Sequence, residues 1–152
     1  MRFMMIVKAT QDSEAGVMPD EKILSEMGRY NEQLMKAGVL LAGDGLQASS
    51  KGARVRYANG KFKVTDGPFA ETKKLVAGYW LIQAKSRQEA LDWARRIPFQ
   101  DGEVEVRRLF ELTDFPVDPA EKPDGWREKE EQLRSAQRVR KPGTIRFMGV
   151  LK

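Results

Sequence analysis

Hydrophobic and polar residues along this chain of 152 residues alternate with two different periods, and the changes of period predict a series of short elements. Six segments have the continuous or alternating apolar pattern of strands: 2–8, 39–42, 54–57, 61–64, 77–83 and 103–110. Two segments have the helical period, one opening at Pro19 and Asp20 and the other between Ser86 and Pro98.

Local signals fix the ends of the two helices. The first has four apolar residues on one face at spacings of four, three and four: Ile23, Met27, Tyr30 and Leu34. Gly38 supplies the left-handed residue that commonly ends a helix. The second opens on Ser86-Arg87-Gln88-Glu89, a capping box, and Pro98 ends it.

The hairpin signal lies between residues 54–57 and 61–64, where Asn59-Gly60 favours a tight turn. Basic and apolar residues alternate along both strands, so we expect one face towards solvent and one towards the core.

The resulting order is strand, helix, strand, hairpin, strand, helix, strand. This order predicts an α+β class with a ferredoxin-like βαββαβ topology that carries an inserted hairpin. Both helices would cover one face of an antiparallel sheet and leave the other face bare. Two copies that bring their bare faces together would cover it, so we predict a homodimer.

Composition changes after Phe115, where prolines 116, 119 and 123 indicate a linker. A charged helix follows from about residue 125 to 139, with Trp126 as its expected anchor. Residues 145–152 repeat the character of 2–8 and predict a further strand, which we interpret as a dimer-stabilising arm. We therefore divide the chain into a domain at 1–115 and an extension at 116–152.

Charge and hydropathy limit the partners. The chain has 27 Lys and Arg against 22 Asp and Glu, a formal net charge of +5. Charges of both signs are interleaved, which is typical of a solvated surface, and we expect no nucleic-acid partner. No apolar run approaches the roughly 20 residues of a membrane span, and the N-terminus lacks the pattern of a signal peptide. We predict a cytoplasmic protein without membrane contact.

The chain has no Cys and no His. Thiol catalysis, disulfides and triads that need imidazole are therefore excluded for this chain alone. No metal-ligand spacing and no phosphate-binding glycine fingerprint is present, so we predict neither a metal nor a cofactor.

The segment 65–72, Thr-Asp-Gly-Pro-Phe-Ala-Glu-Thr, is the clearest motif. Asp-Gly-Pro breaks regular structure, because Asp bonds its own backbone, Gly permits positive φ and Pro fixes φ. The motif therefore predicts a rigid loop that presents the carboxylate of Asp66, with Glu71 nearby.

The string from Asp66 to Lys73 resembles the signature of the YCII-related, or DGPF-domain, proteins of bacteria, and the resemblance covers about residues 1–112. It implies a dimeric α/β barrel, a fold group that includes cofactor-independent enzymes and ligand-binding modules. A related subgroup has a His and an Asp proposed as a catalytic pair. Where similar members have a His after the second strand, this chain has Gln47, which can orient a ligand but cannot shuttle protons.

Two functions remain open. The favoured one is a non-catalytic homodimer that binds a small molecule, with an anionic ligand expected, or a protein partner. In that case the loop is structural, with Asp66 capping its turn and Glu71 pairing with a basic neighbour. The alternative is an enzyme acting on a small anionic or carbonyl metabolite. Its expected residues are Asp66 as general base, Asp44 as a second catalytic acid, and Arg54, Gln47, Glu71 and Lys73 as ligand contacts.

Overall fold

The computed structural model describes residues 1–115 and 125–139. The strands are β1 Arg2–Lys8, β2 Leu40–Gly45, β3 Ala53–Ala58, β4 Lys61–Asp66, β5 Val76–Gln83 and β6 Val104–Arg108. The helices are α1 Gln11–Glu14, α2 Glu21–Lys36, α3 Arg87–Ala94 and α4 Trp126–Val139.

Four strands form the main sheet in the order β2-β5-β1-β6, and every neighbouring pair is antiparallel. The two central strands are the most apolar segments of the chain, as expected for strands that are flanked on both sides. Strands β3 and β4 form a separate two-stranded sheet. The predicted mixed α+β architecture with antiparallel sheets is confirmed.

The two long helices inside residues 1–115 begin and end close to the predicted signals. Asp20 caps α2 by accepting a hydrogen bond from the Ile23 amide at 2.8 Å, and Gly38 follows its end at φ 68°. Ser86 caps α3 by accepting from the Glu89 amide at 3.1 Å. The Glu89 carboxylate accepts from the Lys85 amide at 2.6 Å, so the return bond of the capping box falls one residue early.

Helices α2 and α3 cover one face of the main sheet and enclose the core there. Four side chains are almost wholly buried: Met5, Leu34, Trp80 and Ile82. The indole Nε1 of Trp80 donates to Oδ1 of the buried Asn31 at 2.8 Å, which provides an acceptor for a polar group that burial has removed from water. The Tyr30 ring meets Trp80 edge to face at 5.6 Å, and its hydroxyl donates to the Trp93 carbonyl.

The opposite side of the main sheet, called the open face below, carries a half-buried apolar strip between charged groups. By strand alternation and register the strip consists of Met4 and Ile6 of β1, Tyr79 and Leu81 of β5, and Ala42 of β2. The charged groups beside it include Asp44 of β2 and Glu105 and Arg107 of β6. Helix α4 is tied to one end of this face, where Arg134 contacts Glu111.

Local structure differs from the sequence pattern in two places. Residues 11–14, which no pattern assigned to an element, form the one-turn helix α1, which Thr10 caps by accepting from the Ser13 amide. The hairpin places neither face in the core of this chain, since every residue of β3 and β4 is exposed. The predicted linker, the side chain of Trp126 and the predicted strand at 145–152 lie outside the described residues.

Candidate functional site

The loop that follows β4 is built around a backbone contact at Gly67. A Cβ at this position would lie 1.8 Å from the carbonyl oxygen of Ser49, so only glycine fits. The Gly67 amide donates to the Gly52 carbonyl at 2.9 Å, and the peptide bond between Gly67 and Pro68 is cis. The predicted rigid loop is thus fastened to the turn at Ser49–Lys51.

Two residues that the sequence analysis did not select hold this turn in place. The Ser49 amide donates to the Glu14 carboxylate at 3.1 Å, and the Ser49 hydroxyl donates to the same carboxylate. The hydroxyl oxygen of Ser49 also accepts a hydrogen bond from the Phe69 amide at 3.1 Å. Residues 14, 49 and 69 are distant in sequence, and α1 has no apolar period, so no local signal could have linked them.

Three of the predicted site residues lie around this loop: Asp66, Arg54 and Glu71. All three are exposed, and none of them bonds to another of the three. Asp66, the last residue of β4, has no side-chain hydrogen bond or ion pair to any part of the chain that the structure describes. Arg54 lies over the Phe69 ring, 4.0 Å from its centroid. Glu71 adopts φ 64° and pairs with Lys74 at 2.6 Å, which is the basic neighbour expected of a structural loop.

Gln47 and Lys73 complete the predicted ligand contacts. Both are exposed, and neither side chain bonds to another within residues 1–115 and 125–139. The cavity that the described residues form on the open face is lined by neither of them. Asp66, like Gln47 and Lys73, is not among the residues that line this cavity.

Asp44, the second predicted acid, does have a polar partner. The Tyr79 hydroxyl donates to its Oδ2 at 3.3 Å, because β2 and β5 place the two residues directly opposite each other on the open face. Burial raises the pKa of Tyr79, and the negative charge of Asp44 and the hydrogen bond to it raise that pKa further. The phenol is therefore a protonated donor at neutral pH.

A cavity of about 370 Å³ lies at the other end of the open face, between the sheet and α4. Its lining combines two arginines and one acid with apolar side chains: Arg2, Arg134, Glu130, Leu81, Leu109, Phe110 and Leu133. Such a lining suits a small molecule with an apolar body and a negative group.

Glu111 holds the two arginines of this cavity beside each other. Arg2 Nε donates to its Oε1 at 3.2 Å, and Arg134 Nη1 donates to its Oε2 at 3.0 Å. Burial would raise the pKa of Glu111, but the hydrogen bond from Arg2 and the charges of Arg2 and Arg134 outweigh it and leave that pKa below its ordinary value. Glu130, which also lines the cavity, accepts from Arg134 Nε at 3.4 Å, so two carboxylates face the two guanidinium groups.

The Tyr79–Asp44 pair and the cavity lined by Arg2 and Arg134 lie on one surface, the open face. Leu81 lines the cavity, and Tyr79 lies two residues along the same strand and on the same face, about 7 Å away by strand geometry. Met4 and Ile6 of β1 lie opposite these two residues and complete the apolar strip. The open face therefore offers a hydroxyl and carboxylate at one end and guanidinium groups at the other.

Within residues 1–115 and 125–139, no group of three or more acidic, His or Cys side chains could hold a metal ion. None of the described helices is both long and apolar enough to cross a membrane.

Comparison with known proteins places the fold and the motif in context. The family model of the YCII-related domain matches residues 1–113. Uncharacterized protein R00369 of Rhizobium meliloti (strain 1021) is 36% identical over 93 residues, which span 59% of this chain and 75% of that protein. Among solved structures, 5-chloro-2-hydroxyhydroquinone dehydrochlorinase (TftG) from Burkholderia phenoliruptrix AC1100, in complex with 2,5-dihydroxybenzoquinone, matches with a TM-score of 0.38 and 14% identity. The match covers 75% of this chain and 98% of TftG, and its similarity is too low to support a statement about this chain.

Proposed function

The chain belongs to the YCII-related domain family, and we propose that it is a homodimeric module that binds a small anionic molecule on the open face of its sheet. The observation that carries the proposal is the continuity of that face. A hydrogen-bonded Tyr79–Asp44 pair, an apolar strip and the arginine cavity follow one another on neighbouring strands.

The chemistry of the face selects the class of ligand. Arg2 and Arg134 offer guanidinium donors to a carboxylate or phosphate, Leu81 and its neighbours offer apolar contact, and Tyr79 offers a hydroxyl donor. A molecule about 7–10 Å long would reach from the pair to the cavity, as judged from strand spacing. Small aromatic or branched acids have these properties.

A thermal-shift screen of small carboxylic and phosphoric acids tests the proposal. A ligand at 100 times its dissociation constant should stabilise the folded state by about 2.7 kcal/mol and raise the melting temperature by several degrees. For each hit, Tyr79→Phe and Arg2→Gln should weaken binding by about 5- to 30-fold, the cost of one lost hydrogen bond.

The matched control is Asp92→Asn, which removes an exposed carboxylate from α3, the helix on the other side of the sheet. Binding should be unchanged in this variant. Hits whose affinity is indifferent to Tyr79→Phe and Arg2→Gln would place the ligand elsewhere, and a broad screen without any hit would count against a small-molecule function.

The Tyr79–Asp44 hydrogen bond also favours a second candidate, a cofactor-independent enzyme. A protonated phenol beside a carboxylate can donate a proton to a substrate oxygen, while the carboxylate accepts one. Incubation of each hit with the protein, followed by NMR, separates the two functions, because a binder leaves the ligand unchanged. Loss of kcat in both Asp44→Asn and Tyr79→Phe would support the enzyme.

Asp66 stays a prediction as the general base of such an enzyme. Asp44 and Asp66 are both exposed, but among the described residues only Asp44 has a side-chain hydrogen bond, to the Tyr79 hydroxyl that would act beside it. We therefore expect Asp66→Asn to retain any turnover that Asp44→Asn abolishes, and the opposite pattern would restore Asp66 to that role.

We also propose a topology for the fold and an arrangement for the dimer. The order β2-β5-β1-β6, with α2 and α3 on one side, supports a ferredoxin-like βαββαβ topology with the hairpin inserted before β5. Two open faces brought together would form a dimeric α/β barrel, with residues 116–152 as an extension to the domain at 1–115. Sedimentation velocity would show whether the dimer exists in solution. We also propose that the protein is cytoplasmic.

A further inference from the structure

The hairpin of β3 and β4 has two faces of opposite chemistry. Its register pairs Val55 with Val64 and Tyr57 with Phe62, and by strand alternation these four side chains share one side, called the apolar face below. The other side carries the cations: Arg54, Arg56, Lys61 and Lys63. The described residues leave the apolar face uncovered, since Val55, Val64, Tyr57 and Phe62 are 47%, 53%, 77% and 70% exposed.

A hairpin that nothing covers is not expected to be stable by itself. A two-stranded ribbon in water is at most marginally stable, and it normally needs further strands or a packing surface. Here all twelve strand residues are exposed. The Gly67–Gly52 hydrogen bond continues the ladder at the base of the ribbon, and the Ser49–Glu14 hydrogen bond ties the adjoining turn to α1. The apolar face therefore requires a surface that the described part of this chain does not supply.

We propose that the hairpin is an arm whose apolar face packs on a second copy of this chain. The inference rests on the proposed homodimer and names the element that holds it together. The cationic face cannot be the buried one, because Arg56 and Lys63 lie directly opposite each other and desolvation would strengthen their repulsion. The arm therefore packs with Tyr57 and Phe62 inwards and its cations towards water.

The dimensions of the arm fit this role. Strands of six residues extend about 20 Å, whereas four strands about 4.8 Å apart make a sheet about 14 Å wide between its outer strands. One arm can therefore cross the whole sheet of a partner. One face of the ribbon covers only about 200 Å², against the roughly 800 Å² per partner of a stable interface. The open face must supply the rest, which makes arm and sheet parts of one interface.

A pair of double variants on the two faces of the same hairpin tests the arm. The apolar variant is Tyr57→Ser with Phe62→Ser, and the matched control is Arg56→Ser with Lys63→Ser. Buried aromatic residues dominate interface energetics, so the apolar variant should raise the dimer dissociation constant by at least about 100-fold. The control should remain within about 3-fold at physiological salt, as expected of exposed charges. Sedimentation velocity over a range of concentrations measures both.

A second measurement does not depend on the variant hairpin keeping its stability. Because the chain has no Cys, Tyr57→Cys and Arg56→Cys each introduce a single thiol, on the apolar and the cationic face respectively. Maleimide should label the thiol at 57 at least about 10-fold more slowly than the thiol at 56 when the protein is dimeric, since burial excludes the reagent. Dilution below the dissociation constant should remove the protection.

The outcomes separate this inference from the proposed function. A natural chain that is dimeric, with both double variants equally dimeric and both thiols equally reactive, would overturn the arm and leave the homodimer standing. A natural chain that stays monomeric at every concentration would overturn both the arm and the homodimer. In that second case ligand binding that depends on Tyr79 and Arg2 would still be measurable on the monomer.

Discussion

The close approach of Gly67 to Ser49 gives the sharpest test of the structure, through Gly67→Ala. The new Cβ would lie 1.8 Å from the Ser49 carbonyl oxygen and 2.6 Å from its carbonyl carbon. Both atoms are backbone, so no side chain can rotate away. Because ordinary contacts are about 3.5 Å, the loop and the turn at Ser49–Lys51 would have to separate by about 1.7 Å.

The expected cost follows from what that separation breaks. Forcing one extra methyl into a packed site costs about 1–3 kcal/mol. Loss of the Phe69 amide to Ser49 hydroxyl bond adds about 1 kcal/mol. Alanine recovers about 0.4–1 kcal/mol, because it restricts the unfolded chain. The free energy of unfolding should therefore fall by about 1–3.5 kcal/mol, a lowering of the melting temperature by roughly 2–14 °C for a chain of this size.

The matched control for this variant is Gly52→Ala. Its Cβ would lie 3.6 Å from the same Ser49 oxygen, an ordinary contact, and Gly52 has φ −115°, which any residue adopts. Urea unfolding at one fixed protein concentration should show Gly52→Ala within about 0.5 kcal/mol of the natural chain. Equal stability of the two variants would refute the contact between Gly67 and Ser49, whichever way both move.

Two further predictions concern polar groups away from that loop. Asn31→Ala removes the acceptor 2.8 Å from Trp80 Nε1 in the core and should cost about 1–3 kcal/mol in urea unfolding, whereas the exposed Glu32→Ala on the same helix should stay within about 0.5 kcal/mol. Glu111→Gln should lower stability at pH 7 by about 1 kcal/mol, since the lowered pKa of Glu111 reports a carboxylate that Arg2 stabilises in the folded state. That difference should shrink as the pH falls below the ordinary pKa of 4.5 and vanish once the pH passes the folded-state pKa, so a constant difference down to pH 2 would contradict it.

Much of the fold could be predicted because its signals are local. The caps at Asp20 and Ser86 and the Asn59-Gly60 turn each depend on residues within one turn of chain. The central strands β1 and β5 are apolar enough to be recognised without knowing their neighbours. Helix α1 was missed for the converse reason: it has four residues and no apolar period, and its cap joins Thr10 to Ser13, a residue that is not the Glu or Gln of the usual capping box.

The hairpin shows where a correct pattern led to a wrong environment. Alternation along β3 and β4 does separate an apolar from a cationic face. Pattern alone cannot say what covers the apolar face, because the covering surface contributes no residues to the segment itself. The pattern correctly places Val55 and Val64 on the apolar face of the hairpin. The expectation that this face packs in the core was wrong, because both side chains are exposed.

The candidate site was harder still, because it depends on register between strands far apart in sequence. Asp44 could be selected from its place between two glycines, but its partner Tyr79 is 35 residues away. A bulge in β2 decides that they meet: Leu40 lies opposite Ile82, and Ala42, not Leu41, lies opposite Leu81. Without the extra residue Asp44 would lie opposite Gly78 and point towards the helices, since a shift by one residue reverses every side chain. The position of Asp44 on the open face therefore depends on one β-bulge that no pattern in the sequence predicts. Tyr79 could be recognised as its partner only from the strand register that this bulge sets.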